Sequence, residues 1–138
     1  MRLFASCLAA IGLQSAVSVS FACEGVISIL RISNYVEGGT ESGVRAASDQ
    51  HNAWYRERGA TENLQIVVPM LDYDADADAI VDDTSRVATL HINAPAGAVT
   101  DPFKGDTDWQ AFVEQYSNNT DVSDTYFLCL PDEVIKRD

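Results

Sequence analysis

The sequence predicts an α+β domain with the element order βαββαβ, and three observations carry that prediction. Four short runs rich in branched apolar residues are separated by two segments in which apolar residues recur at helical spacing. The chain has 138 residues, enough for one domain of two packed layers. Hydrophobic residues make up 46% and charged residues 22%, a globular composition that excludes a disordered chain.

Residues 1–22 read as a removable secretory leader. Arg2 gives the positive start, Leu3 to Val19 the apolar stretch, and Ser20 and Ala22 the small residues of a cleavage site. Gln14, Ser15, Ser18 and Ser20 interrupt the run, whereas a membrane anchor needs about 20 strongly apolar residues. Cys23 directly after the site raises lipidation as an alternative, but Ser20-Phe21-Ala22 departs from the usual Leu-x-x-Cys pattern. The mature domain is then residues 23–138, periplasmic or secreted, in an oxidising compartment. With 9 basic against 21 acidic residues the chain carries −12. That balance argues against nucleic acid or an anionic membrane surface as partner.

The elements follow in order. Val26 to Ile32 is short and apolar on both alternating faces, the pattern of a central strand. After a Gly38-Gly39 turn, Val44, Ala47, His51 and Trp54 repeat at helical spacing, and Arg56, Arg58 and Gly59 close a helix over roughly 41–58. Leu64 to Leu71 is a second strand, placed at a sheet edge by Pro69, which cannot donate to a ladder. An acidic connection, Asp72 to Ser85, leads to a third strand from Arg86 to Asn93. In that strand Ala88, Leu90 and Ile92 are expected to face the helices, leaving Val87, Thr89 and His91 on the open side. Thr107, with Gln110 reaching back, fits a capping box for a helix presenting Trp109, Phe112, Val113 and Tyr116. Asn118-Asn119 ends it, Thr125 to Leu130 is the last strand, and a polar tail follows.

Two right-handed βαβ units joined this way give the ferredoxin-like arrangement, a four-stranded antiparallel sheet with two helices on one face. Its first and last strands lie side by side and antiparallel. That brings Cys23, before the first strand, next to Cys129, near the end of the last. Once Cys7 leaves with the leader these are the remaining cysteines, and a disulfide between them is expected. No Cys-x-x-Cys is present, so neither a thioredoxin-type motif nor a zinc knuckle is offered.

In element order and lengths the chain resembles the dimeric α/β-barrel superfamily, which includes antibiotic-biosynthesis monooxygenase-like and stress-responsive barrel domains. The resemblance rests most closely on the first helix, Asp49-Gln50-His51-Asn52-Ala53-Trp54-Tyr55-Arg56-Glu57-Arg58-Gly59, and the strand after it. It implies a homodimer in which open sheet faces pair and enclose a cavity. The activities it implies range from cofactor-independent oxidation to haem breakdown, isomerisation and plain binding, so fold alone does not choose among them.

Candidates for chemistry are few. His51 and His91 are the only histidines, and a histidine serves as a base near neutral pH or as a metal ligand. His51 shares the inward helix stripe with Trp54, whereas His91 is expected beside a cavity on the open sheet face. Placed in different layers, the two do not suggest a joint metal site. The stretch Asp72–Asp83 has Asp-x-Asp-x-Asp spacing, but Ala77 and Asp83 stand where a calcium loop wants Gly and Glu. A solvated acidic connection is the simpler reading. Nucleophile elbows, zinc-protease motifs and glycine-rich phosphate loops are absent, and no cofactor is expected. Two functions remain: an exported module binding a small molecule or partner, or a cofactor-independent monooxygenase-like enzyme using His91 with Trp54 or His51.

Overall fold

A computed structural model describes residues 23–95, 103 and 105–135; the expected leader lies outside them. The elements are β1 (Val26–Tyr35), α1 (Glu41–Glu57), β2 (Leu64–Asp74), β3 (Ala79–Ile92), α2 (Thr107–Ser117), β4 (Thr120–Leu130) and α3 (Asp132–Ile135). The four strands form one antiparallel sheet in the order β2-β3-β1-β4. Apolar β1 is an interior strand and Pro69 lies on edge strand β2, as the residue pattern requires. Among the described residues no helix is long and apolar enough to cross a membrane.

Strands β2 and β3 are longer than their apolar runs. Leu71, Asp72, Tyr73 and Asp74 pair with Asp82, Val81, Ile80 and Ala79, so much of the acidic connection is the end of a hairpin. A turn closes it, with Asp74 Oδ1 accepting the amides of Asp76 and Ala77, and Asp78 at φ 49°. Strand β4 likewise starts early, at Thr120. A register shift opposite Ile32/Ser33 accommodates Ser123, whose hydroxyl donates to the Ile32 carbonyl.

Helix α1 starts where Thr40 Oγ1 accepts the Gly43 amide. It ends at Gly59, whose φ of 82° needs no side chain and whose amide reaches the Arg56 carbonyl. The cap of α2 is one residue earlier than expected. Asp106, not Thr107, accepts the amides of Asp108 and Trp109. Its carboxylate also takes Trp54 Nε1 at 3.1 Å and Arg58 at 2.7 Å, so one acid fastens the start of α2 to the end of α1. The helix pair packs through Ala47, Trp54, Tyr55, Trp109 and Phe112, with Phe103 against them.

The two faces of β3 are the reverse of the expected assignment. Val87, Thr89 and His91 are buried, and Thr89 and His91 meet helix side chains. Ala88, Leu90 and Ile92 therefore lie on the other face, because strand side chains alternate. There Ile66, Leu90, Leu30 and Tyr126 stand in one row across all four strands. Leu64, Ile66, Val68 and Tyr126 are exposed on that face.

Cys23 and Cys129 form a disulfide with Cα atoms 5.6 Å apart. The bridge joins the start of β1 to the end of β4, which pair directly at Val26–Leu130 and Ile27–Cys129.

Candidate functional site

The sheet face beneath the helices is unusually polar for an interior. Gln65, Thr89, His91, Ser33, Ser48, His51, Asn52 and Asn63 are all buried. Each needs a partner, because a buried unpaired polar group costs about 1–3 kcal/mol. Asn52 on α1 supplies two bonds at once. Its Nδ2 donates to the Gln65 carbonyl at 2.9 Å, and its Oδ1 accepts the Gln65 amide at 2.7 Å. The Gln65 side chain then donates to Ser48 Oγ at 3.0 Å. On the far side, the Tyr116 hydroxyl from α2 joins Ser33 Oγ at 3.2 Å and Thr89 Oγ1 at 3.1 Å.

The two histidines meet inside this network. His51 is 1% exposed and His91 2% exposed, and their rings stand edge to face with centroids 4.5 Å apart. They do come from separate layers, one from the helix and one from the strand, but His91 faces the helix and not the open side as expected, so the rings touch between the layers. Tyr55, Trp109 and Phe112 surround the His51 ring at 4.8, 5.7 and 5.0 Å.

Hydrogen bonds fix the tautomers. Asn63 Nδ2 lies 2.7 Å from His91 Nε2 and 3.3 Å from the Asn93 carbonyl, so the amide donates to both. His91 Nε2 is therefore an acceptor, and its proton is on Nδ1. For His51, Asn52 Oδ1 already accepts from Gln65 and can only accept again, so His51 Nδ1 is the donor at 3.4 Å. That leaves the His51 lone pair on Nε2.

Both rings are neutral at ordinary pH. Burial pulls His51 down to about 4, with the Asn52 hydrogen bond opposing and the charge of Arg31 assisting. Burial also pulls His91 down to about 3, helped by His51 and Arg31. Burial raises the Tyr55 hydroxyl, which has no hydrogen-bond partner among the described residues.

Next to the histidines is a cavity of about 410 Å³. Trp109, Phe112, Val113 and Tyr116 of α2 wall one side, Arg31 and His91 of the inner strands another, and Thr120, Asp121 and Val122 of β4 the rim. His51 and Gln65 complete the inner end. The cavity thus lies between helix and sheet, not on the open sheet face where it was expected. Its position explains why Val113 and Tyr116, inward on the α2 stripe, are not fully buried.

Of the residues singled out in the sequence, the cavity brings together His51 and His91. Trp54 does not line it and serves the Asp106–Arg58 junction, with the Arg58 guanidinium 4.0 Å over its ring. Cys23 and Cys129 are occupied with each other at the far end of β1. No group of three or more His, Cys, Asp or Glu side chains able to hold a metal occurs among the described residues, the Asp72–Asp83 stretch included. Sequence reasoning gave no site role to Arg31, Asn52, Asn63, Gln65 or Tyr116, although Tyr116 was placed on the inward stripe of α2. The available signal was a lone cation in the apolar run Val26 to Ile32 and a lone amide in Leu64 to Leu71.

Compared with known families, curated proteins and solved structures, the chain matches no family model, no curated protein and no solved structure.

Proposed function

We propose that this is an exported small-molecule-binding domain of ferredoxin-like design, with its two long helices on one face of the sheet. Its ligand occupies the cavity between α2 and the sheet. The observation that carries this reading is the coincidence of cavity and polar network. A concave, aromatic-walled space of about 410 Å³ ends on two buried, tautomer-fixed histidines. Binding sites combine apolar walls with a few oriented polar groups in this manner. The volume suits an organic molecule with an aromatic or alicyclic body. The disulfide supports export. The apolar row Ile66–Leu90–Leu30–Tyr126 supports a two-fold dimer that covers the open face, since monomers seldom leave such a patch wet. That pairing is the dimeric α/β-barrel arrangement the sequence resembles.

The test is a titration of the purified mature protein with aromatic fragments, followed through the His51 and His91 ring resonances and by native mass spectrometry. Binding should shift both rings in the wild type and disappear in Val113→Trp, which fills the cavity from α2. Fragments that leave both rings unmoved, or that bind the filled variant equally well, would overturn the reading.

One observation favours catalysis as a second reading: neutral His51 lines the cavity with its lone pair left on Nε2, the atom that would take a proton from a ligand. Cofactor-independent oxidation of an enol or phenol would begin with such a transfer. Oxygen uptake with a phenolic substrate, lost in His51→Phe, would establish it. Trp54 is not needed in this version, because it stands outside the cavity.

A further inference from the structure

We infer that the cavity selects an organic anion, an aromatic carboxylate, whose acid group pairs with Arg31 and whose ring lies against Trp109, Phe112 and Tyr116; this rests on the ligand-binding reading above. The argument begins with charge. Acids outnumber bases by 21 to 9 in this chain, so arginines have many potential partners. Arg45, Arg58 and Arg86 each hold a carboxylate within 2.7 Å. Among the described residues Arg31 and the exposed Arg56 hold none, and Arg31 has no hydrogen-bond partner there either. Yet it stands on an interior strand, half-buried, at the wall of the cavity.

Among the described residues no acid is paired with it. The inner-end groups beside it are two neutral histidines and the amide of Gln65. Its strand neighbours across the sheet are Thr89 and Thr125. Asp121, the one acid lining the cavity among the described residues, is not within ion-pair distance of it. An arginine held in a concave apolar site without a counter-ion is matched by a planar acid, which takes its paired N–H groups in a fixed geometry. The aromatic wall suits the rest of the ligand: Trp109, Phe112 and Tyr116 line the cavity, the first two tilted against each other with centroids 4.9 Å apart.

The probes are 1-naphthylacetate and its neutral isostere 1-naphthylacetamide, titrated separately into the disulfide-intact protein by calorimetry and by the His51 and His91 ring resonances. The acid should bind roughly ten- to hundredfold more tightly than the amide, the range of a charged hydrogen-bonded pair. Arg31→Met should remove that preference and leave the amide's affinity within about twofold, while Arg31→Lys keeps part of it. Equal binding of acid and amide to the wild type, with both rings shifted, would overturn the anion assignment and leave the cavity reading standing. Failure of both probes to move either ring would overturn both. The wild-type comparison decides the matter even if Arg31→Met does not fold.

Discussion

At the level of single residues, the His51–His91 pair couples folding to pH. Both rings have folded pKa values, about 4 and about 3, below the ordinary 6.5. The unfolded chain therefore binds protons that the folded one refuses, and stability is fully present above about pH 6.5 and lost as pH falls toward the folded values. Urea midpoints should be level from about pH 8 to about pH 6.5 and decline steadily below that. His91→Gln, which keeps an acceptor for Asn63, should flatten the decline; an unchanged slope would show that His91 does not carry it. Neither ring should titrate between about pH 5.5 and about pH 8 in NMR.

Among elements, the edge strand β2 is the vulnerable one. Its outer backbone groups at Gln65 face away from β3, and an open edge invites further pairing. Asn52 covers them with a side-chain amide that imitates a neighbouring strand. Asn52→Ala should cost about 3 kcal/mol, because it leaves a buried N–H and C=O unpaired. Chemical denaturation measures this, and hydrogen exchange at the Gln65 amide should accelerate in parallel. A loss below about 0.5 kcal/mol would mean that water replaces the amide there. The Asp106 cap is the corresponding device between helices, since one carboxylate serves the α2 amides, Trp54 and Arg58 together.

For the whole molecule, the open sheet face and the disulfide make separate predictions. Leu90→Lys places a charge at the centre of the apolar row and should convert the proposed dimer to monomer in size-exclusion chromatography with light scattering at micromolar concentration. Asp76→Lys, in the hairpin turn, should change nothing. Thr89 is the wrong position for this test, because it is buried beneath α2 against Tyr116, and a charge there would attack the monomer itself. A wild type that is monomeric at these concentrations would remove the dimer. The Cys23–Cys129 bridge closes a separation of 106 residues, for which chain entropy sets an upper value of about 4.7 kcal/mol. Cys23 lies just outside β1, and Cys129→Ser should cost about 2–4 kcal/mol in thermal or urea unfolding.

The residue pattern by itself determined the types and order of the four strands and two long helices, though not the short α3 where a polar tail was expected. It also determined the interior position of β1, the edge position of Pro69, and the partnership of the two cysteines. Those are local or nearest-neighbour properties: branched residues on a pleat, helical spacing, a missing amide donor, and first and last strands side by side. It did not reveal the extensions of β2, β3 and β4, because Asp-rich segments oppose strand propensity and pair only when a hairpin or a neighbour supplies the ladder. Which face of β3 turns inward was decided by tertiary structure. Strand alternation is symmetric, and the apolar set Ala88, Leu90 and Ile92 looked like the core, while Thr89 and His91 were in fact paid with partners from Tyr116 and Asn63. The cavity depends on that choice. Arg31, Gln65, His51 and His91 are far apart in the chain, and only the packing of α1 and α2 over strands in the order β2-β3-β1-β4 gathers them into one site.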